Sequence, residues 1–115
     1  MKIIKIDFSP FEYGVTVCIG DYKEFSKYIK RKTGKTTDSG PYGSLGQCAH
    51  VKDWCPFIWI PRKPKTAREV GTLAHEAVHA GLWLLDWVGA NAEVGNDEFF
   101  GHIVGYIVTQ VLSKA

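Results

Sequence analysis

The first part of the chain carries two short runs of apolar residues that are typical of strands. Residues 3–8, IIKIDF, and residues 13–19, YGVTVCI, are rich in β-branched and aromatic side chains. Ser9 and Pro10 lie between the two runs, and both residue types favour turns. The pattern therefore predicts an N-terminal β-hairpin.

An amphipathic helix is predicted directly after the hairpin. Asp21 has the side chain of an N-cap, and Glu24 follows it at the spacing of a capping box. Apolar residues then recur at helical spacing at Phe25, Tyr28 and Ile29. Gly34 is the residue type that most often ends a helix.

The middle of the chain predicts a long loop and one further strand. Residues 34–53 are polar and rich in glycine, and long loops in small domains are often functional. Their glycines match no phosphate-binding fingerprint. Residues 56–61, PFIWIP, form a short apolar run fenced by prolines, which favours a strand at the edge of a sheet.

The last part of the chain predicts two helices. Thr66 and Glu69 form a T-x-x-E capping box, so a helix should run from about 66 to 88 and end at Gly89. A second helix should begin near Asn91 or Asn96 and run to about residue 113. The order of elements indicates an α+β fold, in which a small antiparallel or mixed sheet packs against these two helices.

Composition adds limits to this picture. The chain has 115 residues, 45% of them hydrophobic and 23% charged, which is typical of one globular domain. No signal peptide and no apolar run of membrane-spanning length is present, so a cytoplasmic protein is expected. The three cysteines at positions 18, 48 and 55 are interpreted as free thiols, with a Cys48–Cys55 disulfide left as an alternative.

The net charge of +2 is too small to indicate a particular partner. The densest basic stretch, residues 27–35, alternates with apolar residues and is interpreted as the solvated face of a helix. A nucleic-acid accessory protein that uses this helix is the weakest of three functional alternatives. The oligomeric state is left open.

The strongest chemical signal is the stretch LAHEAVHAGLW, residues 73–83, which contains His75, Glu76 and His79 in the pattern H-E-x-x-H. On a helix the two histidines lie one turn apart on the same face, so both can reach one ion. Catalytic zinc commonly takes three protein ligands and a water. Glu76 is turned by about 100° from His75 and can hold that water. We therefore predict one zinc ion per chain.

The third ligand is sought on the second predicted helix. That helix is apolar nearly all round except for a stripe that contains Glu98, Gly101, His102, Gly105 and Thr109. The glycines would allow close approach of another helix, so the stripe is predicted to face the two histidines. The alternative is that Glu98 is an exposed carboxylate at a helix start, where the macrodipole favours it.

A glutamate 19 residues after H-E-x-x-H resembles the arrangement in the gluzincin metallopeptidases; residues 73–79 and 96–98 carry the resemblance. The chain is also similar to small phage and prophage metallopeptidase-like proteins. The resemblance implies that His75, His79 and Glu98 are zinc ligands. It further implies a zincin-like fold over residues 1–115.

The same resemblance implies that Glu76 is the general base. The sequence departs from the family at two points. His102 stands where the best-known gluzincins have an aspartate, and the second lobe around the cleft is missing. His102 is predicted to lie behind the ligands or to donate a hydrogen bond to the substrate, whereas Asp97 suits a helix cap.

The function expected from these residues is that of a zinc-dependent peptidase that acts on a peptide or protein. The strand around 58–60 would bind an extended peptide by β-addition. The main alternative is a zinc-containing binding or regulatory protein of a phage or mobile element, without proteolytic activity. A second zinc site at Cys48, His50 and Cys55 is considered, but loop thiols are the favoured interpretation.

Overall fold

A computed structural model of the chain describes residues 1–9, 12–37, 45–90, 93, 95 and 97–115. Its elements are β1 (Lys2–Asp7), β2 (Gly14–Ile19), α1 (Tyr22–Thr33), β3 (Gln47–Ala49), β4 (Phe57–Ile60), α2 (Ala67–Trp87) and α3 (Asp97–Lys114). The predicted α+β class, the N-terminal hairpin and the two C-terminal helices are confirmed. Pro10, Asn91 and Asn96, and residues 38–44 of the predicted loop, lie outside the described residues.

The four strands form one mixed sheet in the order β1-β2-β4-β3. β1 and β2 are antiparallel, β2 and β4 are parallel, and β3 is antiparallel to β4. Val17 of β2 lies beside Ile58 of β4, and Cys48 of β3 lies on the other side of Ile58. Because of this register, Cys48 lies in the same row across the sheet as the core residues Val17 and Ile58.

Two predictions about this sheet are wrong. Residues 56–61 were expected at an edge, but β4 lies between β2 and β3, and all four of its residues are buried. Pro56 and Pro61 flank the strand and do not interrupt its pairing. The edge strand on this side of the sheet is β3, three residues long, within the segment predicted to be loop.

The helices lie on both faces of the sheet. On one face α1 packs Phe25 and Ile29 against Phe57 and Trp59 of β4. On the other face α2 and α3 cover an apolar layer made by β1, β2 and β4. That layer includes Ile4, Ile6, Val15, Val17, Ile58 and Ile60. Burial on both faces explains why β4 is a continuous apolar run.

The helix ends follow local sequence signals. Asp21 accepts a hydrogen bond from the N–H of Lys23 at the start of α1, and Gly34 ends that helix in a left-handed conformation with φ of 77°. The capping box at Thr66 and Glu69 is formed at the start of α2. No helix among the described residues is long and apolar enough to cross a membrane.

The orientation of α3 differs from the prediction. Its buried face consists of Ile103, Ile107 and Val111, which join the core layer under the sheet. The close approach between helices occurs at Gly81 of α2, where an added Cβ would lie 2.9 Å from a ring carbon of Phe100. Burying each such aliphatic side chain contributes about 1.5–3 kcal/mol, so the apolar face decides which way α3 turns.

The predicted contact of the Gly101–Gly105 stripe with α2 is therefore wrong. A Cβ built at either glycine meets no atom within 4 Å, and both residues are exposed. The stripe points away from the helix that it was expected to touch. Glu98 and His102 lie on this outer surface with the glycines, and their side chains are mostly exposed.

Candidate metal centre

Three potential metal ligands of α2 lie close together. One ligand atom from each of His75, Glu76 and His79 falls within 4.8 Å of the others. The Nε2 atoms of the two histidines are 3.3 Å apart, and their rings meet nearly edge to face at 81°. Two nitrogens bound tetrahedrally to zinc at about 2.0–2.1 Å lie roughly 3.3–3.4 Å apart. The pair therefore has the spacing of two ligands of one zinc ion.

Glu76 differs from the histidines in its burial. Both histidines are exposed, whereas Glu76 is 7% exposed and is the one charged residue that is buried in the described part of the chain. Burial raises the pKa of its carboxyl group, while the imidazoles of His75 and His79 and the N–H of Cys48 act in the opposite direction. A carboxyl group with a raised pKa is suited to both accept and return a proton.

The segment from Gly46 to His50 lies along α2 beside these residues. A Cβ at Gly46 would be 3.0 Å from Cγ2 of Thr72 and 3.3 Å from Cγ of Glu76, so the segment touches the helix where only hydrogen fits. Further along, the backbone N–H of Cys48 donates a hydrogen bond to the Glu76 carboxylate. The edge strand β3 is therefore tied directly to the predicted base.

His50 is the last residue of this segment and lies beside the turn of α2 that follows His79. Its ring stacks on the indole of Trp83, with centroids 4.6 Å apart and planes inclined by 14°. Its Nε2 lies 3.4 Å from Sγ of Cys48. Burial, and then the charge of His79, lowers the pKa of the His50 imidazole. His50 thus lies in the electrostatic neighbourhood of the histidine pair.

Cys48 is a free thiol next to Glu76. Burial, and then the charge of Glu76, raises its pKa to about 12. Cys18 and Cys55 are free as well, so the expectation of free thiols is confirmed. Cys48 and His50 were considered from the sequence only as parts of a separate zinc site. Their spacing contains no signal of contact with α2, which arises from the pairing of β3 with β4.

The structure does not bring Glu98 or His102 to the α2 cluster. Oε1 of Glu98 lies 3.2 Å from Nε2 of His102, with side chains 88% and 76% exposed. Among the described residues, the group of close ligand atoms consists of His75, Glu76 and His79 alone. Glu98 occupies the alternative position weighed from the sequence, that of an exposed carboxylate in the first turn of its helix.

His102 lines a groove that is separate from the cluster. This groove, about 730 Å³ in volume, lies between α3 and the end of the β1–β2 hairpin, and Phe8 and Tyr106 also border it. None of the residues that line it belongs to the α2 cluster. The two histidines of the cluster instead stand on an exposed surface of α2.

Comparisons with known protein families, with curated proteins and with solved structures found no match for this chain.

Proposed function

We propose that this protein is a zinc-dependent hydrolase that cleaves a peptide or another amide bond. The observation that carries the proposal is the 3.3 Å separation of the His75 and His79 Nε2 atoms, with the buried Glu76 carboxylate in the same cluster. A purely structural zinc site would have no need of a general base beside its ligands. The H-E-x-x-H motif itself, in which the glutamate acts as a general base beside two zinc-binding histidines, points in the same direction; Glu98, which carried the rest of the resemblance to gluzincins, lies outside the cluster.

The donor set fits zinc. Imidazole nitrogens are among its commonest protein ligands, and the spacing of the pair agrees with tetrahedral coordination. Zinc bound there would supply Lewis acidity, polarising a carbonyl oxygen and lowering the pKa of water. Both histidines project from a rigid helix of 21 residues, which keeps their relative positions constant.

The chain's own residues supply the proton transfers. Glu76 takes a proton from the attacking water and passes it to the nitrogen of the leaving group. The N–H of Cys48 holds the carboxylate in place through its hydrogen bond. Since that N–H belongs to a strand and Glu76 to a helix, the base is positioned from two sides. His102 lies away from the cluster and has no part in these steps.

The substrate is proposed to bind along β3. The sequence assigned β-addition to residues 58–60, but that strand is internal, whereas β3 pairs with β4 alone among the described strands. An extended peptide added to the open edge of β3 would run past Cys48 and Glu76. Binding would then rely on main-chain hydrogen bonds, which suits a surface without a deep cleft.

Unpaired thiols also fit a reducing compartment such as the cytosol.

The proposal is tested with the purified protein and a mixture of peptides of diverse sequence. We expect one zinc per chain by elemental analysis and new peptide termini by mass spectrometry. Glu76→Gln should retain zinc and lose cleavage, because glutamine keeps the shape of the side chain but does not accept the proton. Cleavage that persists unchanged in Glu76→Gln, or in the presence of a strong chelator, would contradict the mechanism.

A second candidate is a zinc-containing binding or regulatory protein. The observation in its favour is that the groove beside α3, about 730 Å³ in volume, is lined by residues outside the histidine pair. In that case zinc would be bound with the same stoichiometry, but no peptide in the mixture would be cut. Glu76→Gln would then leave partner binding unchanged, and there would be no turnover for it to alter.

A further inference from the structure

We propose that His50, in the segment that follows β3, is the third protein ligand of the metal site on α2. The inference rests on the proposed function, since it names the residue that completes the same site. It departs from the sequence-based assignment of Glu98. It would make the site a three-histidine centre built from a helix and an edge strand.

The first argument is the position of the His50 ring. It stacks on Trp83, and Trp83 follows His79 by four residues on α2. Residues four apart on a helix are neighbours on one face, with Cβ atoms about 5–6 Å apart. His75, His79 and Trp83 therefore form a single row along α2. His50 lies against the end of that row, beside His79.

The second argument is the direction of the nitrogen that would bind the metal. Nε2 of His50 is 3.4 Å from Sγ of Cys48, and Gly46 of the same segment packs against Cγ of Glu76. The nitrogen thus faces the segment that lies beside Glu76. A thiol is a weak hydrogen-bonding partner, so little is lost when the imidazole exchanges it for a metal ion.

The third argument concerns the motion that ligation requires. His50 is outside the group of atoms within 4.8 Å, so its ring must rotate about its side-chain torsions to reach the ion. His50 is exposed and follows the last residue of β3, and the rotation gives up its stack on Trp83. By contrast, Glu98 projects from the outer surface of α3, where it pairs with His102.

The fourth argument is the number of ligands. Three histidines leave one position of a tetrahedral zinc ion open, as hydrolysis requires. Addition of Cys48 would close the coordination sphere and make the site structural. The side chain of Cys48 packs against the apolar core, whereas His50 is exposed. Three imidazoles are therefore the donor set that leaves one position open.

The test uses the full chain, whose four histidines can be followed one by one in side-chain NMR spectra. On addition of zinc to the metal-free protein, we expect the resonances of His50, His75 and His79 to change and those of His102 to remain. His50→Ala should lower the zinc affinity by more than about 100-fold, beyond the range of residues that only support a ligand. Glu98→Gln and His102→Ala are the matched controls and should bind zinc like the parent chain.

Several results would overturn the inference. If zinc changes only two histidines and Glu98→Gln weakens binding, Glu98 is the third ligand and His50 is not. If the cobalt-substituted protein shows a thiolate charge-transfer band that Cys48→Ser removes, Cys48 is a ligand and the open three-histidine site is wrong. If the parent chain binds no zinc at all, the proposed function fails together with the inference. Should His50→Ala not fold, His50→Gln serves in its place, and the NMR titration needs no variant.

Discussion

The hydroxyl group of Tyr13 donates a hydrogen bond of 2.8 Å to the backbone carbonyl of Ala80, although the two residues are 67 positions apart in the chain. Both are buried, and Ala80 directly follows His79 on α2. This bond joins the hairpin to the turn of the helix that carries His79. It therefore fixes where the histidine pair lies relative to the sheet.

Tyr13→Phe removes that hydrogen bond and little else. We expect the free energy of unfolding to fall by about 0.5–1.5 kcal/mol, the usual net contribution of an intramolecular hydrogen bond. Urea denaturation of the metal-free protein measures it. Tyr106→Phe is the matched control, because Tyr106 is exposed on α3 and should change stability by less than about 0.5 kcal/mol. Equal losses in the two variants would show that the bond does not anchor α2.

Gly46→Ala tests the contact between the edge segment and α2. The added methyl group would meet Thr72 at 3.0 Å and Glu76 at 3.3 Å, so the segment must move away from the helix. Overpacking of this kind costs about 1–3 kcal/mol, and zinc affinity should fall as well. Calorimetric unfolding and a zinc titration measure the two effects.

The matched control for this change is Gly71→Ala in the same helix. A Cβ at Gly71 meets nothing within 4 Å, so the change should stabilise α2 by about 0.5–1 kcal/mol through helix propensity. The contact would be disproved if Gly46→Ala proved as harmless as Gly71→Ala.

The orientation of α3 can be tested through its glycines. Gly105→Ala should raise the free energy of unfolding by about 0.5–1 kcal/mol, because the residue is exposed and its Cβ would meet no atom. Gly81→Ala should lower it by about 1–3 kcal/mol, because its Cβ would lie 2.9 Å from the Phe100 ring. The reverse order of stabilities in chemical denaturation would mean that the glycine stripe does face α2.

The carboxyl group of Glu69 should make the free energy of unfolding depend on pH in the acid range. The hydrogen bond from Arg62, followed by those from Lys65 and Thr66, lowers the pKa of its carboxyl group to about 2. Because the folded pKa lies below the unfolded value of about 4.3, the stabilisation is present above that value and is lost as the pH falls from about 4 to 2.

Glu69→Gln should therefore destabilise the protein at pH 7 and weaken the loss of stability in acid. Unfolding followed at a series of pH values measures both. Glu93→Gln is the control, since Glu93 is exposed and outside the helices. A pH profile of Glu69→Gln identical to that of the parent chain would contradict the assigned role of the capping box.

Local features of this protein follow from the sequence alone. The start of α2 depends on Thr66 and Glu69, three residues apart, and the spacing of His75 and His79 depends on a single helical turn. Hydrogen bonds within four residues decide both, so the pattern of neighbouring residues contains the information. The same holds for Asp21 and the hairpin of β1 and β2.

The surroundings of the histidine pair were decided by tertiary structure. β3 is a strand only because it pairs with β4, and its three residues have no signal that distinguishes them from loop. The predicted rotation of α3 about its axis is wrong because a stripe of glycines suggests close packing, whereas burial of Ile103, Ile107 and Val111 contributes more free energy. Cys48 and Glu76 are 28 positions apart in the chain, and no local pattern relates them. The sequence therefore determined the helical turn that carries the histidine pair, while long-range packing decided which residues lie beside it.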